Sequence, residues 1–396
     1  MTTGYIDIGA KSVRILLPIY EEGELVETIV HNDRVTGRGK EGFLNEDTLK
    51  NELKQITENL RKELDVSNLP PCCVTVKDSE AITEVRSLSV RADGKTIAKS
   101  DVLYIKRNID LEYPDHYVAL HRIPIGFRFD DGELIQDPVG QSGDVLSFYV
   151  MLIAVRHEEL ETYAYLMRKS GVKVHRYLYD GIAHGLAAIR ETKETTCTVV
   201  DLGVNTTGLI AFEGGVPVHL GSLPYGMELL SSELVRQMKC SGDTADSLLA
   251  SKGMAARGSA IKYKLSDGKS SGAFDVPQFV NMLRLKMNTI LQAVRTEISN
   301  SEWPNGEPNY RQKVVFTGGG RGLSDLTRVS QQLLKVETTV ARGSRHTEDD
   351  DAFMACLGML MYMSGDDFNE AEFAKMAKIS GVSSGGAWQW VKGIFS

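Results

Sequence analysis

A short unit of strand, turn and strand occurs twice in this chain, and it constrains the fold more than any other feature. The copies are Tyr5-Ile-Asp-Ile-Gly-Ala-Lys-Ser-Val-Arg-Ile-Leu-Leu17 and Thr198-Val-Val-Asp-Leu-Gly-Val-Asn-Thr-Thr-Gly-Leu-Ile-Ala-Phe212. Each reads as an apolar strand, a carboxylate, a glycine-centred turn with small hydroxyl residues, and a second apolar strand. Gly9 and Gly203 let backbone approach an anion closely, and successive N–H groups can surround phosphate oxygens. Two such turns facing each other would clamp one nucleotide. Asp7 and Asp201 would then sit beside the phosphates and hold Mg2+ through water. A third turn, Val314-Val-Phe-Thr-Gly-Gly-Gly320, again follows an apolar strand, and its glycines leave room for a base or sugar. Any one of these turns is a weak signal, since Asp-x-Gly often ends a strand without function.

The chain has 396 residues, 42% of them hydrophobic, enough for two or three packed domains. Lys and Arg number 45 against 53 Asp and Glu, a net charge of -8, with no basic run. No nucleic-acid partner is therefore expected. No apolar stretch of about twenty residues is present to span a bilayer. The N-terminus runs directly into a strand and shows no signal-peptide pattern. Cys72, Cys73, Cys197, Cys240 and Cys356 lack metal-type spacing and read as reduced structural thiols of a cytosolic protein.

Along the chain, Leu49, Leu53, Ile56, Leu60 and Leu64 predict one face of a helix capped by Asn45. The strand ending at Val76 then completes the order of an α/β half. Residues 79–148 read as an inserted α+β module ending in Asp137-Pro-Val-Gly-Gln-Ser-Gly143. The first half, 1–78 and 149–196, is expected to resume with a strand from Tyr149 to Val155, a helix over 157–169, a strand over 172–178 and a helix over 181–189. Small residues in that last helix suit a close crossing at a hinge. The second half is placed at 197–225 and 311–364, with a mainly helical insertion over 226–310. Within it Phe279, Leu283, Met287, Ile290, Val294 and Ile298 read as a core stripe. Residues 352–362 mirror the hinge helix. A flexible linker over 365–386 precedes the closing segment 387–396. There Ala387, Trp388, Trp390, Val391, Ile394 and Phe395 fall within about 160° of a helical wheel, which suits a lipid interface. Folding back on its own domain, or disorder, is the other reading.

The order of the three glycine turns resembles that of the actin, sugar-kinase and chaperone ATPase superfamily. The match narrows to the bacterial cell-division family FtsA, which the chain resembles from Ile6 to its last residue. The narrower features are the Asp137 to Gly143 segment, Leu223-Pro-Tyr-Gly226, the inserted module in the first half and the tethered Trp/Phe helix. The resemblance implies an α/β, actin-like two-domain ATPase fold of duplicated ribonuclease-H-like halves. Its first-half insertion would be an SHS2-like module. It further implies a protein that binds ATP with Mg2+, self-associates into filaments on the cytoplasmic face of the inner membrane at the division site, and binds the C-terminal peptide of FtsZ through 226–310. Lipid contact through Trp388, Trp390, Val391, Ile394 and Phe395 and recruitment of downstream division membrane proteins belong to the same expectation. Carried over by position, Asp7, Gly9, Ala10, Lys11 and Ser12 match the first phosphate loop, Asp201, Gly203, Asn205, Thr206 and Thr207 the second, and Gly318, Gly319 and Gly320 the adenosine loop. Lys252 is the candidate contact near base and ribose, a solvated surface lysine being its other reading.

The chain departs from the family pattern at Val204 and Asn205, which stand for two glycines, at Gly208, which stands for a carboxylate, and at Ala10, which stands for a hydroxyl residue. These changes predict nucleotide binding with slow or absent hydrolysis. His184 falls near the position where actins place a water-orienting residue, although a hinge-helix role without catalysis is the plainer reading. The alternatives are a PilM-like actin-fold adaptor of a pilus or secretion machine, and a soluble actin-fold kinase of a small molecule.

Overall fold

The structure is a computed structural model, and it describes residues 3–21, 24–39, 42–43, 45–300, 313–341 and 353–367. Of the expected linker over 365–386, residues 365–367 are helical; the rest of it and the expected amphipathic helix of 387–396 lie outside the described residues.

The first half begins with β1 (Gly4–Ile8), β2 (Ser12–Glu21) and β3 (Glu24–Arg34), followed by the two-residue strands β4 (Arg38–Gly39) and β5 (Gly42–Phe43). Helix α1 (Glu46–Glu63) and strand β6 (Cys72–Val76) complete this part. Asn45 caps α1 by accepting the Thr48 amide at 2.9 Å. Leu49, Leu53 and Leu60 are buried beneath it, as the helical spacing requires. The chain continues through β7 (Ile82–Arg91), α2 (Lys99–Asn108), β8 (Tyr117–Phe129), β9 (Val145–Arg156), α3 (His157–Lys169), β10 (Val174–Tyr179) and α4 (Asp180–Thr192).

The second half opens with β11 (Cys197–Leu202), β12 (Thr207–Glu213) and β13 (Val216–Leu223). Its insertion holds α5 (Glu228–Met238), α6 (Gly242–Ser251), the hairpin β14 (Ala260–Lys264) and β15 (Ser271–Asp275), and α7 (Val276–Asn300). The half closes with β16 (Lys313–Thr317), α8 (Leu326–Leu334), β17 (Thr338–Val340) and α9 (Met354–Asp367).

Two five-stranded sheets result, in the orders β10-β6-β1-β2-β3 and β13-β12-β11-β16-β17. The two orders are mirror listings of one topology. In each, the first strand of the half pairs antiparallel with its hairpin partner and parallel with the strand that follows the crossover. The twofold sequence unit is thus a twofold structural unit. Helices α4 and α9 cross between the halves at backbone contact, since a Cβ on Gly358 would lie 1.8 Å from the Ala183 carbonyl oxygen. All five cysteines are buried and unpaired. Burial pushes the thiols of Cys72, Cys73 and Cys197 up to about 12, which leaves them inert.

One expectation needs correcting. The strand from Tyr149 does not rejoin the first-half sheet. It is part of β9, the central strand of a separate three-stranded sheet in the order β7-β9-β8. The inserted module therefore extends through Arg156. Its unbroken apolar run looks like a core strand because both faces are covered. Leu146, Phe148 and Val150 pack with α2 residues such as Ile105, while Met151, Ile153 and Val155 join the main core. The module also reaches across to the second half, where the Thr83 hydroxyl donates to the Leu220 carbonyl at 2.8 Å.

Candidate functional site

Five chain segments converge at the carboxyl ends of parallel strands. Asp7 lies near the end of β1, Lys77 follows β6, Asp180 follows β10, Asp201 lies near the end of β11, and Gly318 follows β16. Open α/β sheets bind ligands at such an edge, because the chain leaves each strand there and opens a crevice. The two glycine turns close in the same way. The Gly9 amide donates to the Ser12 carbonyl at 2.9 Å, and the Gly203 amide to the Thr206 carbonyl at 3.1 Å.

Each turn has a cation at its floor. A Cβ on Gly9 would lie 3.2 Å from Arg14 Nη1, and one on Gly203 would lie 3.6 Å from Lys77 Nζ. Arg14 is the direct cross-strand partner of Asp7, and its Nη1 donates to Asp7 Oδ2 at 2.7 Å. The Thr75 hydroxyl donates to the other oxygen, Oδ1, at 2.8 Å. Burial opposes the charge of Arg14, but Asp7 more than offsets it and holds the guanidinium pKa above its ordinary value. Lys77 Nζ lies 3.2 Å from Asp180 Oδ2 and 3.6 Å from Asp201 Oδ2. Asp201 Oδ1 is buried and accepts no hydrogen bond among the described residues.

His184 stands between the carboxylates, with Nε2 3.4 Å from Asp180 and Nδ1 3.9 Å from Asp201. One ligand atom each from Asp180, His184 and Asp201 fall within 4.8 Å of one another, a grouping that could surround a metal. Lys77 already directs its charge at both carboxylates, however, and both oxygens of Asp7 are engaged. The two carboxylates expected to hold Mg2+ through water, Asp7 and Asp201, thus each face a protein cation, Arg14 and Lys77 respectively.

The third turn meets the second at atomic contact. Gly318 has φ +78, and a Cβ there would fall 2.1 Å from Asp201 Oδ1. Gly320 packs against Leu202 and Met227, whereas Gly319 faces open space. Val204 and Asn205 are not among the residues with positive φ. The replacement of two glycines there thus carries no left-handed strain. Gly208 pairs directly with Asp201 in the hairpin, so a carboxylate at 208 would have stood beside that aspartate.

Other expected residues are placed differently. Thr207 is fully buried and donates to the Tyr225 carbonyl at 2.7 Å, which commits its hydroxyl to the fold. Lys11 reaches across the cleft to Asp246 of α6 at 2.6 Å. Ala10, Ser12 and Thr206 are half-buried in their turns. Lys252 is exposed at the end of α6, where its carbonyl accepts from Ser324. The residues missed by reading motifs are Arg14, Lys77 and Asp180. The hairpin register that sets Arg14 opposite Asp7 is a usable signal, as is a charge placed directly after an apolar strand.

A second surface lies on the helical insertion. Among the described residues, a groove of about 560 Å3 is lined by Phe274, Met282, Leu285, Lys286, Glu233 and their neighbours on α5, β15 and α7. Leu285, which lines it, is 59% exposed. The Glu233 carboxyl is held at about 2, chiefly by hydrogen bonds from Arg236 and Gln237 with Lys286 adding to them, so the rim is charged.

The fold and the arrangement of its turns define a protein of the two-domain actin fold. The chain covers 91% of itself and 97% of a protein in the PilM-PilN type IV pilus biogenesis complex at a TM-score of 0.58 and 14% identity. For MreB5 of Spiroplasma citri bound to ADP the coverage is 91% and 96%, the TM-score 0.54 and the identity 10%. The MamK double helical filament gives 93%, 100%, 0.51 and 12%. In sequence the chain is similar to the cell division protein FtsA. It is 24% identical to that of Rhizobium meliloti (strain 1021) over 257 residues, 61% of this chain and 58% of the relative, and 22% identical to that of Agrobacterium fabrum over 343 residues, 81% and 76%. No family model matches the chain. The FtsA resemblance read from the motifs and the actin-like fold are thus both borne out.

Proposed function

We propose that this protein is an FtsA-like, nucleotide-binding scaffold of cell division. The carrying observation is the pair of equivalent glycine turns, each with a cation beside it, the second in contact with a third glycine turn at the carboxyl edge of its sheet. Its ligand is ATP, whose phosphates lie between Gly9 and Gly203 while the bare backbone at Gly318 to Gly320 takes the adenosine. Turnover is slow or absent: His184 is held between two carboxylates, and Gly208 supplies no group to orient an attacking water. The scaffold self-associates into filaments, binds the membrane from its cytoplasmic face through residues 387–396, and takes the FtsZ C-terminal peptide in the groove beside Leu285. Downstream division membrane proteins are its further partners. The likeness to PilM is one of fold and does not favour a pilus adaptor over this reading.

The test is co-sedimentation of the full-length chain with liposomes, with and without ATP, followed by electron microscopy of the pellet. Nucleotide-dependent filaments on lipid are expected, and deletion of 387–396 is expected to leave the protein in the supernatant. A full-length chain that stays soluble and unassembled in both conditions would overturn the scaffold reading.

A further inference from the structure

Three carboxylates and two fixed cations surround the place between the glycine turns. Asp7 is bound by Arg14 at 2.7 Å and by Thr75 at 2.8 Å. Asp180 and Asp201 share Lys77 at 3.2 and 3.6 Å. Every carboxylate that could hold a hydrated divalent ion beside a phosphate is thus already facing a protein cation. The Lys77 side chain keeps 29% of its surface exposed, so part of it is open to the cleft.

From this geometry we infer that the chain binds its nucleotide without a divalent cation, with Lys77, supported by Arg14, supplying the charge that Mg2+ would otherwise bring to the phosphates. The inference rests on the nucleotide-binding reading of the site. Mg2+ beside a phosphate is held through waters that donate to carboxylate oxygens, and those of Asp7 already accept from Arg14 and Thr75. An ammonium is a compact charge with three donors on a flexible stem, able to stand between two carboxylates and an incoming phosphate oxygen. A tethered cation also costs no ion capture, since it arrives with the fold. A divalent charge placed among Arg14, Lys77 and their partners would repel both side chains at short range, where burial screens little. The same substitution accounts for slow turnover, because a metal that bridges the phosphates and neutralises developing charge is the usual source of acceleration in phosphoryl transfer.

The experiment is equilibrium binding of a fluorescent ATP to the full-length protein, in excess MgCl2 and in EDTA. Dissociation constants that agree within about threefold are expected. A loss of more than about tenfold in EDTA would overturn the inference while leaving the nucleotide reading intact. No binding in either condition would overturn both. The variant Lys77→Met sharpens the test, because it frees Asp180 and Asp201. Its affinity should fall by about tenfold in EDTA and be largely restored by MgCl2, turning a metal-independent site into a metal-dependent one. Lys77→Arg, which keeps the charge, should bind as the unaltered protein does in EDTA. Unchanged affinity of Lys77→Met in EDTA would overturn the proposal. If Lys77→Met fails to fold, the unaltered protein with and without EDTA decides the matter alone.

Discussion

At the scale of single residues, Gly318 is held both by its backbone conformation and by its neighbours. Its φ of +78 with ψ of 178 is a conformation that side chains avoid. A Cβ would also strike Asp201 Oδ1 at 2.1 Å and the Leu202 carbonyl at 2.9 Å. Gly318→Ala is therefore expected to cost at least about 1–3 kcal/mol of stability and to displace Asp201 from Lys77. Urea unfolding and nucleotide binding should both register it; an unchanged unfolding midpoint would show that the turn can relax around the methyl group. The glycines here were legible from the sequence, since three of them in a row after an apolar strand have few other uses. Lys77 and Asp180 were not, because they lie 103 positions apart and only the pairing of β6 with β10 brings them together.

At the scale of elements, the crossing of α4 with α9 shows how one missing side chain sets a distance. Gly358 lets α9 rest on the Ala183 backbone, and Ala187, Ala355 and Cys356 keep the neighbouring surface low and buried. Gly358→Ala must separate the helices, with an expected loss of about 1–3 kcal/mol. Gly181→Ala, two residues before Ala183 in α4, meets its nearest neighbour at 3.4 Å and should change little. Thermal unfolding of the two variants separates them, and equal melting temperatures would argue against a close crossing. The small-residue pattern announced this contact. The placement of β9 was not announced, because a run buried on both faces reads the same in a parallel core sheet and in an inserted sheet between two hydrophobic layers.

At the scale of the whole molecule, His121 of β8 ties the inserted module to the rest. Its Nε2 accepts the Tyr179 amide at 2.9 Å, which leaves Nδ1 to donate to the Tyr362 hydroxyl of α9 at 3.3 Å. One ring thus joins the module, the strand that leads into Asp180, and the hinge helix. Burial first, and Arg176 second, push the imidazole from 6.5 down to about 3. The folded protein keeps the ring neutral while the unfolded chain takes up a proton below 6.5, so the contribution is complete above that pH and is lost as pH falls towards about 3. Stability should decline by up to about 1.4 kcal/mol per pH unit in that window on account of this group. His121→Gln should lower stability at neutral pH and flatten the slope. Urea unfolding at a series of pH values measures both, and parallel slopes would exclude His121 as the source.

The duplicated strand and turn units, the core stripes and the caps were determined by sequence alone, because each depends on residues close together in the chain and on a period of two or 3.6. Tertiary structure alone decided which side chains face one another across the cleft. Asp7 and Asp201 read in the sequence as metal carboxylates, and only β2 and β6 set Arg14 and Lys77 against them. The charge state of such a site is a sum over distant segments, and no local pattern carries it.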